Sequence, residues 1–346
     1  MRRIILILLI LNFLLIPARA SEITAPSAPS SVGDLMPYET ESFAQGLYRI
    51  FADAMEMLQP DIAKCFGICL SLVAASVILS VVKGFRGQHG LAVKLIGTIV
   101  IAVIVLEPTN VLIKDSALTI EELSNYGKLL LPVMATAMAA QGGVTASAAI
   151  YAATAFADAL LSSLVANVMV PMVYIYLILC IVNAAVGEEL IKKLRDMVRW
   201  LIAWCLRTIL YVFTGYLTVT GVVSGTADQL AVKATKLTIS GMVPVVGGII
   251  SDASESILVS VGLMKSAAGT YGLLAFIAIA IGPFLNIGIQ HLMLKGSAVL
   301  CGLFADKESS ELIGDFSSGM GLMLAMTGTV CLVQMFSTVC FMKGMG

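Results

Sequence analysis

The chain has 346 residues, of which 59% are hydrophobic and 12% charged, with a formal net charge of −1 and a mean hydropathy of +0.97. A soluble domain carries roughly half apolar and about a quarter charged residues, so this composition excludes an ordinary water-soluble globule. The function has to be argued as membrane function.

At the N-terminus, Arg2 and Arg3 lead into the apolar run Ile4 to Ile16, and Ala18-Arg19-Ala20 supplies small residues at both positions a signal peptidase inspects. The run falls short of the ~20 residues a span needs, so residues 1–20 read as a cleavable signal peptide, with an uncleaved anchor as the alternative. Residues 21–61 carry Glu22, Asp34, Glu39, Glu41, Asp53, Glu56 and Asp61 against Arg49, Arg being the kind of residue retained on the cytoplasmic side. This segment therefore reads as an extracytoplasmic acidic tail. It opens with a Pro/Ser linker, 25–31. Phe43, Leu47, Ile50, Phe51, Ala54 and Leu58 then recur at helical spacing, which predicts an amphipathic helix over 42–59, resting on the outer surface, on a partner or on this protein's own loops.

Residues 62–346 read as a multi-pass transmembrane domain. Cys65 to Val82 forms a first span, and the basic cluster Lys83, Arg86 and Lys94 marks a cytoplasmic turn. Residues 95–113 cross back, followed by an outer loop, Glu107 to Lys128, with helical periodicity of its own. Residues 129–187 hold Asp158 as their single charge; they read as three crossings, or as one crossing with re-entrant pieces broken at Gly142-Gly143. Lys192, Lys193, Arg195 and Arg199 lie on a short amphipathic segment at the cytoplasmic face, where a partner could dock. Residues 201–224 then cross outward.

In the C-terminal third, Tyr271 to Leu294 and Met320 to Met342 read as spans, joined by a mixed loop holding Asp306, Lys307, Glu308, Glu311 and Asp315. The expected fold is all-α: a polytopic helical membrane protein with about six to eight transmembrane helices, some re-entrant or broken, and both termini outside. The apolar segment 241–252 contains Pro244, Gly247 and Gly248, which interrupt a helix at membrane depth. Asp252 and Glu255 follow, either as cation or proton ligands or as the N-cap and third residue of a capping box opening a helix over 253–264. Asn286 and Gln290 fall four apart beside His291, as a polar lining or as interhelical hydrogen bonds.

Nucleotide-binding and zinc-protease motifs are missing, and two histidines cannot build a metal centre without many acidic helpers. The expectation is therefore a non-enzyme without catalytic, cofactor-binding or metal-binding residues. The seven cysteines lie mostly inside apolar stretches and read as small buried hydrophobes.

The stretch from Ala231 to Phe304, with Met242-Val243-Pro244-Val245-Val246-Gly247-Gly248, Ser251-Asp252-Ala253, Lys265 and Ala268-Gly269 ahead of the Gly-Pro span, resembles the stage III sporulation protein AE family of endospore-forming bacteria. The resemblance implies a multi-pass component of the mother-cell (outer forespore) membrane within the stage III sporulation A channel-like complex. Its implied partners are the other proteins of that operon, including a separate ATPase subunit, together with forespore channel proteins and membrane lipid; nucleic acid is not among them. It would act there as a permease-like core or as an assembly platform. A free-standing secondary transporter of small molecules is the alternative outside the resemblance.

Overall fold

The computed structural model describes residues 25–36, 43–85, 90–140, 144–213, 215, 247–304 and 307–343, the backbone alone over 247–267. Residues 1–24, where the signal peptide is expected, lie outside it, as do Pro244 and the outward end of the expected span 201–224. Apart from residues 25–36, which hold a 3-10 turn at Ser30–Leu35, and short junctions at 58 and 187–188, the described chain is helical: α1 (Phe43–Met57), α2 (Gln59–Phe85), α3 (Gly90–Ala140), α4 (Val144–Leu164), a π turn (Val165–Met169) running into α5 (Val170–Val186), α6 (189–213), α7 (Gly247–Phe304) and α8 (Lys307–Lys343).

Local chemistry explains several boundaries. Pro60 and Asp61 open α2, where a missing N–H costs nothing and an acid meets the positive end of the helix dipole. The π turn sits just ahead of Pro171. Because proline offers no N–H to the carbonyl of Asn167, the helix widens there and passes on into α5 without breaking. α5 stops at Gly187, whose φ of 79° is left-handed and whose N–H bonds the Asn183 carbonyl at 2.8 Å. Pro108 and Pro132 in α3, and Pro283 in α7, are accommodated inside continuous helices.

The helices pack around a central group of α3, α7 and α8. α8 lies against α3, α4, α5 and α7, while α1 and α2 cover the other flank of α7. The interior is filled by Leu130, Met134, Phe276, Phe316, Met320, Met323 and Met326, with Tyr126 edge-on to Phe276 at 5.2 Å. Phe66, Leu70, Ile78, Ile99 and Val103 instead face outward, as lipid-facing residues do because hydrocarbon welcomes them as well as a core would.

Five helical stretches among the described residues are long and apolar enough to cross a membrane: Gln59–Val82, Ala92–Ala140, Ser147–Val186, Ala268–Phe304 and Lys307–Met342. This is a multi-span all-helical protein, with five such stretches described where about six to eight were expected. Three expectations change. Residues 129–140 end α3 and residues 144–186 form one continuous helical stretch, so 129–187 does not cross three times; Gly142 and Gly143 lie outside the described residues. The expected outer loop 107–128 is the middle of α3, and Glu308, Glu311 and Asp315 of the mixed loop expected before the last span already lie on α8. Finally, α7 is described from Gly247 onward, so Gly247, Gly248, Asp252 and Glu255 lie within a helix already under way, and not at the start of one over 253–264.

Candidate functional site

Two buried polar clusters tie the bundle together, and both belong to residues the apolar context makes costly to leave unpaired. The first centres on Arg195, which α6 turns inward between α5 and α8. Its side chain is 6% exposed and its Nη1 contacts Asp315, with Glu311 at 3.5 Å; Nη2 lies 3.0 Å from Asp196. The Tyr176 hydroxyl donates to the Asp315 carbonyl at 3.2 Å, bringing α5 into the same cluster. Burial alone would lower the pKa of the guanidinium; the carboxylates of Asp315 and Asp196 outweigh it and raise the pKa. Nearby, Lys94 of α3 pairs with Glu308 at 3.0 Å, and Lys192 reaches Glu311 at 3.8 Å.

The second cluster centres on Asp158, which α4 points into the core at 2% exposure. Ser124 of α3 donates to its Oδ2 at 2.8 Å and the Gln334 amide of α8 to its Oδ1 at 2.6 Å. An ionised carboxylate is an acceptor only, so two donors suit it. Gly127 makes room for Gln334: a β-carbon there would lie 2.6 Å from the amide oxygen. That oxygen, Gln334 Oε1, is buried and has no donor among the described residues. Asp315 and Gln334 lie about 28 Å apart along α8 at ~1.5 Å per residue, so the two clusters are separated by roughly one hydrocarbon thickness of ~30 Å.

Of the basic residues expected at a docking face, Arg195 is thus internal, held by α8 carboxylates that lie far off in sequence. Lys193 pairs with Glu189 at 3.6 Å on the surface, and Arg199 is exposed. Of the expected polar lining, one residue makes an interhelical hydrogen bond and the other is buried. Asn286 Nδ2 reaches Asp61 Oδ2 at 3.5 Å, whereas Gln290 is buried with its Nε2 unpartnered among the described residues. His291 Nδ1 lies 2.7 Å from the Ser317 carbonyl; since a carbonyl only accepts, that nitrogen carries the proton. Gly247, Gly248, Asp252 and Glu255 contribute backbone alone, and Pro244 lies outside the described residues. Among the described residues none of the seven cysteines is in a disulfide; Cys69 shares a hydrogen bond with Ser297 at 2.6 Å.

These clusters and the helices that carry them fall within a match to the sequence profile of stage III sporulation protein AE, which covers residues 34–346. The chain belongs to the stage III sporulation protein AE family. It is also similar to the stage III sporulation protein AE of Bacillus subtilis (strain 168), with 23% identity over 227 residues, covering 65% of this chain and 57% of that relative. No solved structure matches the chain. Both buried clusters lie within the matched residues.

Asp158 carried a signal in the sequence as the lone charge in a long apolar stretch, the setting in which an ionisable residue is a functional candidate by default. Gln334 and Ser124 carried none, because an amide or hydroxyl in a span gives no clue to its partner across the bundle.

Proposed function

We propose that this protein is a membrane-embedded assembly platform of the stage III sporulation A apparatus in the mother-cell membrane, with its N-terminal tail outside the cytoplasm and the Arg195 end of the bundle inside. The observation that carries the reading is the length of α3. Its 51 residues extend roughly 75 Å at ~1.5 Å per residue, more than twice a hydrocarbon core of ~30 Å. The exposed charges Glu107, Lys114, Asp115 and Glu121 lie along its middle, on a surface suited to water or protein and not to lipid. A bundle that spans a bilayer with one half and projects a rigid helical arm from it offers surfaces for assembly. The inner end follows from Lys94, Lys192, Lys193, Arg195 and Arg199 lying together there, in line with the retention of basic residues on the cytoplasmic side. Lys193 and Arg199 remain available to a cytoplasmic subunit at that end, with anionic lipid as a competitor for the same charges.

The test is deletion of the gene in its native host, counting heat-resistant spores, together with recovery of a tagged complementing copy from membranes. Arrest after engulfment and co-purification of the other stage III sporulation A proteins are expected; normal sporulation would overturn the reading and favour a free-standing transporter.

A permease-like core is a second reading, favoured by the buried Asp158 carboxylate. If it carries a cation or proton, Asp158→Asn abolishes spore formation while the protein still accumulates at normal levels. If it is a tether, the same variant, nearly equal in shape, sporulates.

A further inference from the structure

Among the described residues, two unpartnered surfaces, one between α3 and α4 and one on α1, match one another. The first is a groove of about 840 Å³ between α3 and α4, floored by small residues such as Ala117, Ala159 and Ser162, and widened by the π turn at Asn167. Lys114, Glu121 and Lys128 line its α3 wall at intervals of seven, a spacing that keeps them on one stripe of the helix. Among the described residues, Lys114 and Glu121 have no ion pair.

The second surface is the outer face of α1. That helix buries Gly46, Ile50 and Ala54 against α7 and turns Tyr48, Phe51 and Met55 outward, Tyr48 at 77% exposure. Arg49 and Glu56 share one edge of this apolar face, also seven apart; Arg49 has a loose i,i+4 partner in Asp53 at 3.7 Å. The base and acid of α1 therefore have the spacing of the acid and base of the groove, with opposite signs.

Charge decides which pairing is allowed. If two grooves met about a two-fold axis, Glu121 would face Glu121 and Lys114 would face Lys128, so every juxtaposition would repel. Placing α1 of one copy in the groove of the next sets Arg49 against Glu121 and Glu56 against Lys114, while the aromatic face of α1 covers the small residues of the floor. Height is compatible too. α1 lies between Ser31, which donates to Glu122 of α3 at 3.1 Å, and Asp61, which accepts from Asn286. Surfaces at equal height let successive copies associate head to tail within one membrane plane, whereas surfaces at unequal heights would climb out of it.

We propose that the protein self-associates head to tail, with α1 of each copy seated in the α3–α4 groove of its neighbour. The inference goes beyond the sporulation assignment, since the purified chain alone should show it.

The test is the mass of the full chain in nanodiscs loaded at stoichiometries that admit several copies, with Arg49→Glu, Glu121→Arg and the double variant in parallel. Wild type should form species larger than a dimer. Each single reversal should weaken association by about ten-fold, as like charges at an interface do, and the double variant should recover it. A photo-crosslinking residue in place of Tyr48, with the charges left native, should capture peptides from 114–128 or 159–170 of another copy. A monomeric wild type, single variants that associate normally, a double variant as weak as either single, or a Tyr48 crosslink to any other segment or to lipid would each overturn the proposal.

Discussion

Arg195 and Asp158 show how differently one residue type behaves at a surface and in a bundle. Removing the partner of a buried ion pair leaves an uncompensated charge, at a cost of about 3–5 kcal/mol, whereas an exposed pair contributes about 0–1 kcal/mol. Asp315→Ala removes the most buried of the three carboxylates around Arg195 and leaves it Asp196 and Glu311, so it should still lower the unfolding temperature of the detergent-solubilised protein measurably, while Lys193→Ala should leave it nearly unchanged. A thermal melt monitored by helical circular dichroism, with equal effects of the two, would contradict the internal role of Arg195. Charge reversal at Lys193 and Arg199 then tests docking without disturbing the fold, which a substitution of Arg195 cannot do. At the other cluster, Gly127→Ala pushes the Gln334 amide off Asp158, at about 1–3 kcal/mol for overpacking. Gln334→Ala removes the same hydrogen bond from the other side, so the double variant should be markedly less destabilised than the sum of the two singles. Additive losses in the same melt would mean that Gly127 and Gln334 act separately.

At the scale of elements, α3 holds the main discrepancy between pattern and structure. Its charged middle, Glu107 to Lys128, reads as a loop because charges interrupt an apolar stretch, yet the same residues have helical periodicity, and both Leu123 and Tyr126 are buried in the core. Nothing in 107–128 forces a break: Pro108 finds the rest of the helix strong enough to tolerate one missing hydrogen bond. An arm that leaves the bilayer predicts a change in chemical accessibility along one helix. Single cysteines at Glu107 or Asp115, exposed and outside the α3–α4 groove, should react with a membrane-impermeant maleimide, since the thiolate forms in water, and cysteines at Ile99 or Val103 should not. Reaction read by mass, with the native thiols as internal reference, separates a projecting arm from a helix wholly sunk in lipid; uniform protection along α3 would contradict the arm.

For the whole molecule, the sequence by itself determined the class. Composition alone requires a membrane protein, because no water-soluble core can hide so much apolar surface, and the motif around 242–269 together with the Gly-Pro span pointed to the sporulation family that the profile match over 34–346 assigns. The helix stop at Gly187 was not read from the sequence, although its left-handed φ of 79° is the kind of position that favours glycine. The periodicity of 42–59 anticipated α1, although its buried stripe, Gly46, Ile50 and Ala54, is narrower than the apolar set because Phe51 and Leu47 remain outside. Only the tertiary structure decided the pairings: that Arg195 meets Asp315 across 120 positions, and that Asp158 meets Gln334 across 176. Hydropathy reports whether a residue tolerates lipid, and the helical period reports which residues share a face. Neither carries information about which helix lies opposite, and in a medium where apolar surface is no driving force, the choice of neighbour is made by close packing and by polar groups that must find one another.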